Sequence, residues 1–369
     1  MTDSNVLVYG CSALVRSPSE RPPRPREDRP LTVDLHCHLL NEDVERLVAN
    51  EPRKLGERQA QVANTGEAST IRNAELTQTT YKPKLVDIDV RLADMDAMGV
   101  DVQAISPAPS QYYYWAEADL AQSIVRTTNE RIAEVCAAHP RRFVGLGTVA
   151  LQNPKLAAEQ ADYAVRKLGL RGIEISSLVN GEGIAEPNLD VFWAKMEALG
   201  ALVFLHPLGT SLGPRLNRYY LSNIVGQPAE TTIALSQMIF GGVFDRFEKL
   251  KLCAAHGGGY LPAYAGRSDR GYAARPEACG CRHRPSEYLT RIWYDTVVHD
   301  PAQLMRLIDV VGASQVVIGT DYPYDMGHYD PHELLAAVSA LTQADREMIL
   351  GRNAAGLLGL QPFQTADDS

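Results

Sequence analysis

The chain has no apolar run approaching the roughly 20 residues needed to span a membrane, and residues 6–15 are too short and too interrupted by polar groups for a signal peptide. Positive charge is in deficit: 36 Lys and Arg against 45 Asp and Glu leave a formal charge of -9. Nucleic acid and anionic membranes reward clustered cations, so neither is expected as a general partner, and a small molecule is. Cysteine is thin and irregular. Cys11, Cys37, Cys136, Cys253, Cys279 and Cys281 follow no regular spacing, which excludes a secreted disulfide scaffold and points to reduced thiols in a cytoplasmic protein. No internal repeat is present beyond an alternation of strand-like and helix-like segments.

That alternation is the organising pattern. With 369 residues and 45% hydrophobic content the chain can bury a large core. Short apolar or β-branched runs occur at 31–34, 100–106, 143–149, 172–176, 202–205, 250–255, 293–298 and 316–319. Helix-period stretches lie between them, at 120–138, 154–168, 188–199, 228–244 and 302–311, with another at 331–340. Eight such units predict a (β/α)8 TIM barrel. Residues 41–85 form a polar insertion after the first strand, expected to pass over the barrel mouth as a lid. The Pro/Arg-rich stretch within residues 1–30 reads as an extended arm, 31–360 as the barrel, and 361–369 as a frayed tail.

Barrel active sites gather at the C-terminal ends of the strands, and five metal-binding side chains fall at such ends: His36 and His38 in VDLHCHLL, His206 in VFLHP, His256 in CAAHGGG and Asp321 in VIGTDYP. An H-x-H pair on a strand turns both imidazoles to one face. Each histidine alone reads as a satisfied strand-end side chain; the set reads as a catalytic metal site with an open position. Imidazoles with one carboxylate suit Zn²⁺. The expected ligands are His36, His38, His206 and Asp321, with His256 beside them as general acid/base. His139, His283, His328 and His332 lack this context and His299 is closer to a structural residue, while the CGC of 279–281 with His283 matches no closed zinc site. Residues 180–183 (NGEG) read as a turn. Gly257, Gly258 and Gly259 either let the backbone approach the site or make a tight turn.

The stretches 225–267, 296–301 (TVVHDP) and 319–327 (GTDYPYDMG) resemble the amidohydrolase superfamily, specifically its decarboxylase branch, over about 33–360. That resemblance implies a (β/α)8 barrel, one Zn²⁺, His256 handling protons, and Arg267 gripping a substrate carboxylate by reaching into a neighbouring subunit's site. It implies a homodimer; pairing with a related partner subunit is a separate alternative. The activity implied is decarboxylation of a small conjugated or aromatic acid in catabolism. Tyr114 and Trp115, after the second strand, either wall a planar substrate or pack in the core.

Two departures from the pattern matter. The region after strand one, where the branch carries a further carboxylate-binding arginine, is unlike it here, and Arg72 is the one candidate. Glu174, in RGIEISS, stands where the branch has a neutral amide. With His206 and His256 it could hold a second ion, giving a dinuclear hydrolase or an Fe/Mn oxygenase; otherwise it pairs with Arg171 or contacts substrate.

Overall fold

The computed structural model describes residues 29–360, together with 18 and 22–24; most of the expected arm and the whole of the expected tail lie outside the described residues. Eight parallel strands run β1 (Val33–Leu39), β2 (Val102–Pro107), β3 (Phe143–Gly147), β4 (Gly172–Ile175), β5 (Leu202–Leu205), β6 (Lys251–Ala254), β7 (Trp293–Asp295) and β8 (Val316–Val317), each hydrogen-bonded to the next in chain order. Leu35 N donates to Ile318 O at 2.8 Å and His38 N to Tyr322 O at 2.9 Å, which closes β8 onto β1. The fold is the expected (β/α)8 barrel.

The strands carry alternating side chains into two apolar layers. Val33, Leu35, Val102, Ala104, Leu146, Leu202, Phe204, Cys253, Ala255 and Val317 fill the barrel with Ala354, Leu357 and Leu358. Their strand neighbours, among them Cys37, Ile105, Ile173, Val203, Leu252 and Ile318, pack outward on the helices. Three outer helices begin with an Asx-Pro pair: Asn153 before Pro154–Arg166, Asp300 before Pro301–Val311 and Asp330 before Pro331–Ala337. In each the side chain accepts from a first-turn amide, and the proline occupies a position whose missing N–H costs nothing.

The first strand differs from its expected form. It continues through Leu39 instead of stopping at Asp34, so both histidines lie within it. Its register against β2 breaks between Asp34 and Cys37. A bulge shifts the alternation by one residue, which is how Leu35 can belong to the interior layer below while His36 and His38 face the interior above.

The insertion is helical, over Glu42–Val48, Pro52–Thr65, Glu67–Leu76 and Lys82–Val86. Of the expected turn at 180–183, Asn180 and Gly181 make the bend, and Glu182–Gly183 pair back on Leu178–Val179 as a small hairpin. Among the described residues no helix is long and apolar enough to cross a membrane, and Cys37, Cys136, Cys253, Cys279 and Cys281 are free.

Candidate metal centre

At the C-terminal mouth of the barrel, His36, His206, His256 and Asp321 each present one donor atom within 4.8 Å of the others. His38 stands beside them, its ring centroid 5.1 Å from that of His36 and 4.8 Å from that of His206. The tightest quartet therefore includes His256, which the sequence placed outside the ligand set. Asp321 sorts the five groups. Its Oδ1 lies 3.2 Å from His36 Nε2 and 3.3 Å from His38 Nε2, whereas its Oδ2 lies 3.9 Å from His256 Nε2.

These atoms approach one another without hydrogen-bond alignment. His36 Nε2, His38 Nε2, His206 Nδ1, His256 Nδ1 and Asp321 Oδ1 are buried with no hydrogen-bond partner. Buried polar atoms left open cost about 1–3 kcal/mol each, and those of His36 and His38 lie within 3.3 Å of the shared Asp321 carboxylate oxygen, a grouping that a divalent cation satisfies together. The electrostatics agree. Burial disfavours a charged His36, but the carboxylates of Asp321 and Asp295 outweigh it and raise its pKa to about 10. Burial and the neighbouring imidazoles hold His206 well below the usual histidine range. Asp321 stays well below the carboxylate range because the surrounding imidazoles overcome its burial. The carboxylates thus favour positive charge beside His36, while His206 stays neutral with its lone pair free for a cation.

The outer nitrogens are tied down. His36 Nδ1 meets Asp295 Oδ2 at 2.6 Å, and Asp295 Oδ1 accepts from Gly257 N at 2.9 Å and Val297 N at 3.1 Å. His38 Nδ1 sits 3.3 Å from Pro107 O. Both histidines thus aim Nε2 inward. Sequence reasoning missed Asp295; its position at the very end of a barrel strand was the available signal. Below the cage, Asp34 accepts from His36 N at 3.1 Å, from Thr320 N at 3.0 Å and Oγ1 at 2.6 Å, and from Gln103 Nε2 at 3.0 Å.

Glu174 is fully buried and takes a hydrogen bond from Tyr112 Oη. Its Oε2 lies 3.8 Å from His38 Nδ1, so it addresses the ring edge opposite the one facing Asp321. The structure does not gather it with His206 and His256, and it makes no ion pair with Arg171 among the described residues. The glycines after His256 are required by close approach: a Cβ at Gly259 would stand 2.1 Å from Pro228 O, and one at Gly258 2.6 Å from the Tyr294 ring.

A cavity of about 270 Å³ opens above His206, His256 and Asp321. Asn73, Thr77 and Tyr81 of the insertion line it together with Tyr220, Tyr324 and Asp325. No Lys or Arg does so among the described residues.

Three expected substrate contacts lie elsewhere. Arg72 is exposed on the insertion and pairs with Glu75 at 2.8 Å, because its helix turns Asn73 and Thr77, not Arg72, to the cavity. Trp115 packs edge-on against Tyr113 in a satellite cluster with Val44, Ala121 and Ile124. Tyr114 is buried, stacked on Tyr112 at 5.5 Å, with its Oη accepting from Ser176 N. The short helical turn Pro109–Gln111 rotates the chain so that Tyr112 is the tyrosine reaching Glu174. Arg267, on the helix Ala265–Ala274, is exposed, forms no ion pair among the described residues and does not line its own chain's cavity.

A family model described as Amidohydrolase matches residues 33–360. The chain is 38% identical over 278 residues, 75% of its length and 77% of the relative's, to a 2-amino-3-carboxymuconate-6-semialdehyde decarboxylase of Dictyostelium discoideum. It is 28% identical to a gamma-resorcylate decarboxylase of Rhodococcus jostii over 75% of this chain and 89% of the relative. Among solved structures it resembles 5-carboxyvanillate decarboxylase of Sphingomonas paucimobilis, with a TM-score of 0.76, 26% identity, and 90% of this chain and 100% of the other covered. It shares its fold with the manganese-bound 5-carboxyvanillate decarboxylase of Novosphingobium aromaticivorans, at TM-score 0.80 and 22% identity over 92% and 99% of the two chains.

Proposed function

The chain belongs to the amidohydrolase family, and from that premise we propose that it is a metal-dependent carboxy-lyase that removes CO₂ from a small conjugated or aromatic carboxylic acid in catabolism. The observation that carries this reading is the cluster of metal-ligating side chains, with His36 Nε2, His38 Nε2 and Asp321 Oδ1 buried and unpartnered, that opens directly on a small cavity. The decarboxylases to which the chain is similar supply the reaction class.

We assign the ion to His36, His38, His206 and Asp321 Oδ1, the side of the carboxylate shared by the H-x-H pair, and choose zinc because three imidazoles and one carboxylate suit it. Bound there, a divalent ion supplies Lewis acidity and lowers the pKa of a coordinated water. His256, on the Oδ2 side of Asp321, holds and delivers the proton. It protonates the unsaturated carbon bearing the carboxylate; the C–C bond then breaks, CO₂ leaves, and the electron pair returns to the conjugated system. Asp295 keeps His36 in the tautomer this requires.

Among the described residues, no Lys or Arg of the same chain lines the cavity to meet the substrate carboxylate. Arg267 of a second copy of the chain fills that role in a bidentate fork. Tyr219, Tyr260 and Tyr264 are exposed, and Tyr260 and Tyr264 lie on the segment leading into the Arg267 helix, which supports a homodimer through that face.

Element analysis of the purified protein, combined with CO₂ detection over hydroxy-, amino- and nitro-substituted aromatic acids, tests the reading. One equivalent of zinc with CO₂ release supports it. Two equivalents of metal, or bound iron or manganese with hydrolysis or oxygen uptake and no CO₂, would replace it with the dinuclear hydrolase or oxygenase.

A further inference from the structure

The wall of the cavity above the cage includes three phenols and, outside the cage, one acid, set among amide, hydroxyl and apolar side chains. From His38 outward, Tyr324 packs at 5.4 Å and Tyr81 stands edge-on to Tyr324 at 5.3 Å. Tyr81 Oη then accepts from Asp325 N at 3.2 Å. Tyr220 Oη approaches Asp325 Oδ1 from the other side at 3.5 Å, a distance at the limit of a hydrogen bond. Asp325 is two rings removed from the metal cage, exposed at the rim, and lines the same cavity.

An ionised carboxylate accepts about four hydrogen bonds and donates none, and Asp325, addressed by Tyr81 and Tyr220, is an acceptor-only group on the cavity wall. Its position is unexpected in a site that must take an acid, because it repels any second anion and any acceptor-only substituent. It is complementary to an N–H or O–H donor. A volume of about 270 Å³ falls at the small end of ligand sites, near the size of one substituted ring. A molecule with its carboxylate at the cage therefore presents its far substituents to Tyr81, Tyr220 and Asp325.

We propose that Asp325, framed by Tyr81 and Tyr220, is a specificity-determining residue that selects acids carrying an amino or hydroxyl donor on the part of the molecule remote from the departing carboxylate. This inference rests on the carboxy-lyase reading for the orientation of the acid. The selection itself is a property of binding.

The test compares zinc-loaded wild type with Asp325→Ala and Asp325→Asn on matched acids in which a hydroxyl or amino group is replaced by methoxy or hydrogen. CO₂ release gives kcat/KM, and calorimetry gives binding of the same acids. The wild type is expected to prefer the donor-bearing member of each pair. Both variants are expected to lose about 10- to 100-fold on that member and little on the other, the effect of one hydrogen bond to a charged acceptor. Equal effects on both members, no effect on either, or a wild type without preference would overturn the inference even if CO₂ is released. Donor-selective binding that depends on Asp325 without any CO₂ release would sustain it and refute the carboxy-lyase reading. Unchanged thermal melting of the variants checks that the rim remains folded.

Discussion

Substituting Asp295 tests whether the cage holds an ion and how it is aimed. The wild-type carboxylate takes His36 Nδ1 on one oxygen and two backbone amides, of Gly257 and Val297, on the other. In Asp295→Asn the remaining carbonyl still accepts both amides, but the new NH₂ faces His36 Nδ1. That nitrogen must then accept, which moves the ring proton to Nε2 and blocks the ligand position. Metal affinity is expected to fall 10- to 100-fold, or about 1.4–2.7 kcal/mol. Asp295→Ala loses the same affinity and also leaves two buried amides open, at about 1–3 kcal/mol each, so it should be about 2–6 kcal/mol less stable without metal. Chelator competition measures the first quantity and denaturant unfolding of metal-free protein the second. If Asp295→Asn binds metal within twofold of wild type, the assignment of His36 as a ligand oriented by Asp295 is wrong.

His256→Ala should keep stoichiometric metal and lose about 10²- to 10⁴-fold in kcat, whereas His38→Ala should lose the metal; the opposite pattern of metal content would make the compact quartet the true ligand set. Metal binding at pH 8 should release a proton, because His36, raised to about 10, is protonated in the metal-free cage and proton and ion compete for Nε2. Apparent affinity should accordingly rise with pH over that range, and calorimetry in buffers of different ionisation enthalpy would show no released proton if this is wrong. Arg267→Ala and His256→Ala should each be inactive alone, but a mixture of the two should regain activity, since one hybrid site then has His256 from one chain and Arg267 from the other; no recovery after subunit exchange would count against the shared site. Arg72→Ala should change kcat/KM less than twofold, as an exposed ion pair contributes little.

The barrel and its metal-type residues were legible because each strand is a run of β-branched and aliphatic residues and each such histidine or aspartate follows or ends one. Composition alone could not show that β1 runs past His36 and His38, since the register break between Asp34 and Cys37 is set by pairing with β2 and β8. The residues that read least well depend on rotation. Tyr112, Tyr114 and Trp115 are nearly adjacent, and a single turn at Pro109–Gln111 decides which of them reaches Glu174 and which packs outward. Asp325 and Tyr81 lie 244 positions apart, and only the closed barrel with its helical insertion brings them together.

The backbone at two of the donors shows how the mouth is held. His256 and Asp321 both have φ of +56°, a region that costs a non-glycine residue of order 1 kcal/mol or more. His36 and His38 lie inside a strand and need no such bend, whereas His256 and Asp321 come after their strands have ended and must be turned back over the opening. Hydrogen bonds fix the bends: Asp321 N donates to His36 O at 2.8 Å, and Gly259 N to His256 O at 3.0 Å. The first of these ties one expected ligand directly to the backbone of another. Two of the seven non-glycine residues with positive φ among the described residues are thus the acid that sorts the cage and the histidine assigned to move the proton, whose angle of approach matters to the chemistry.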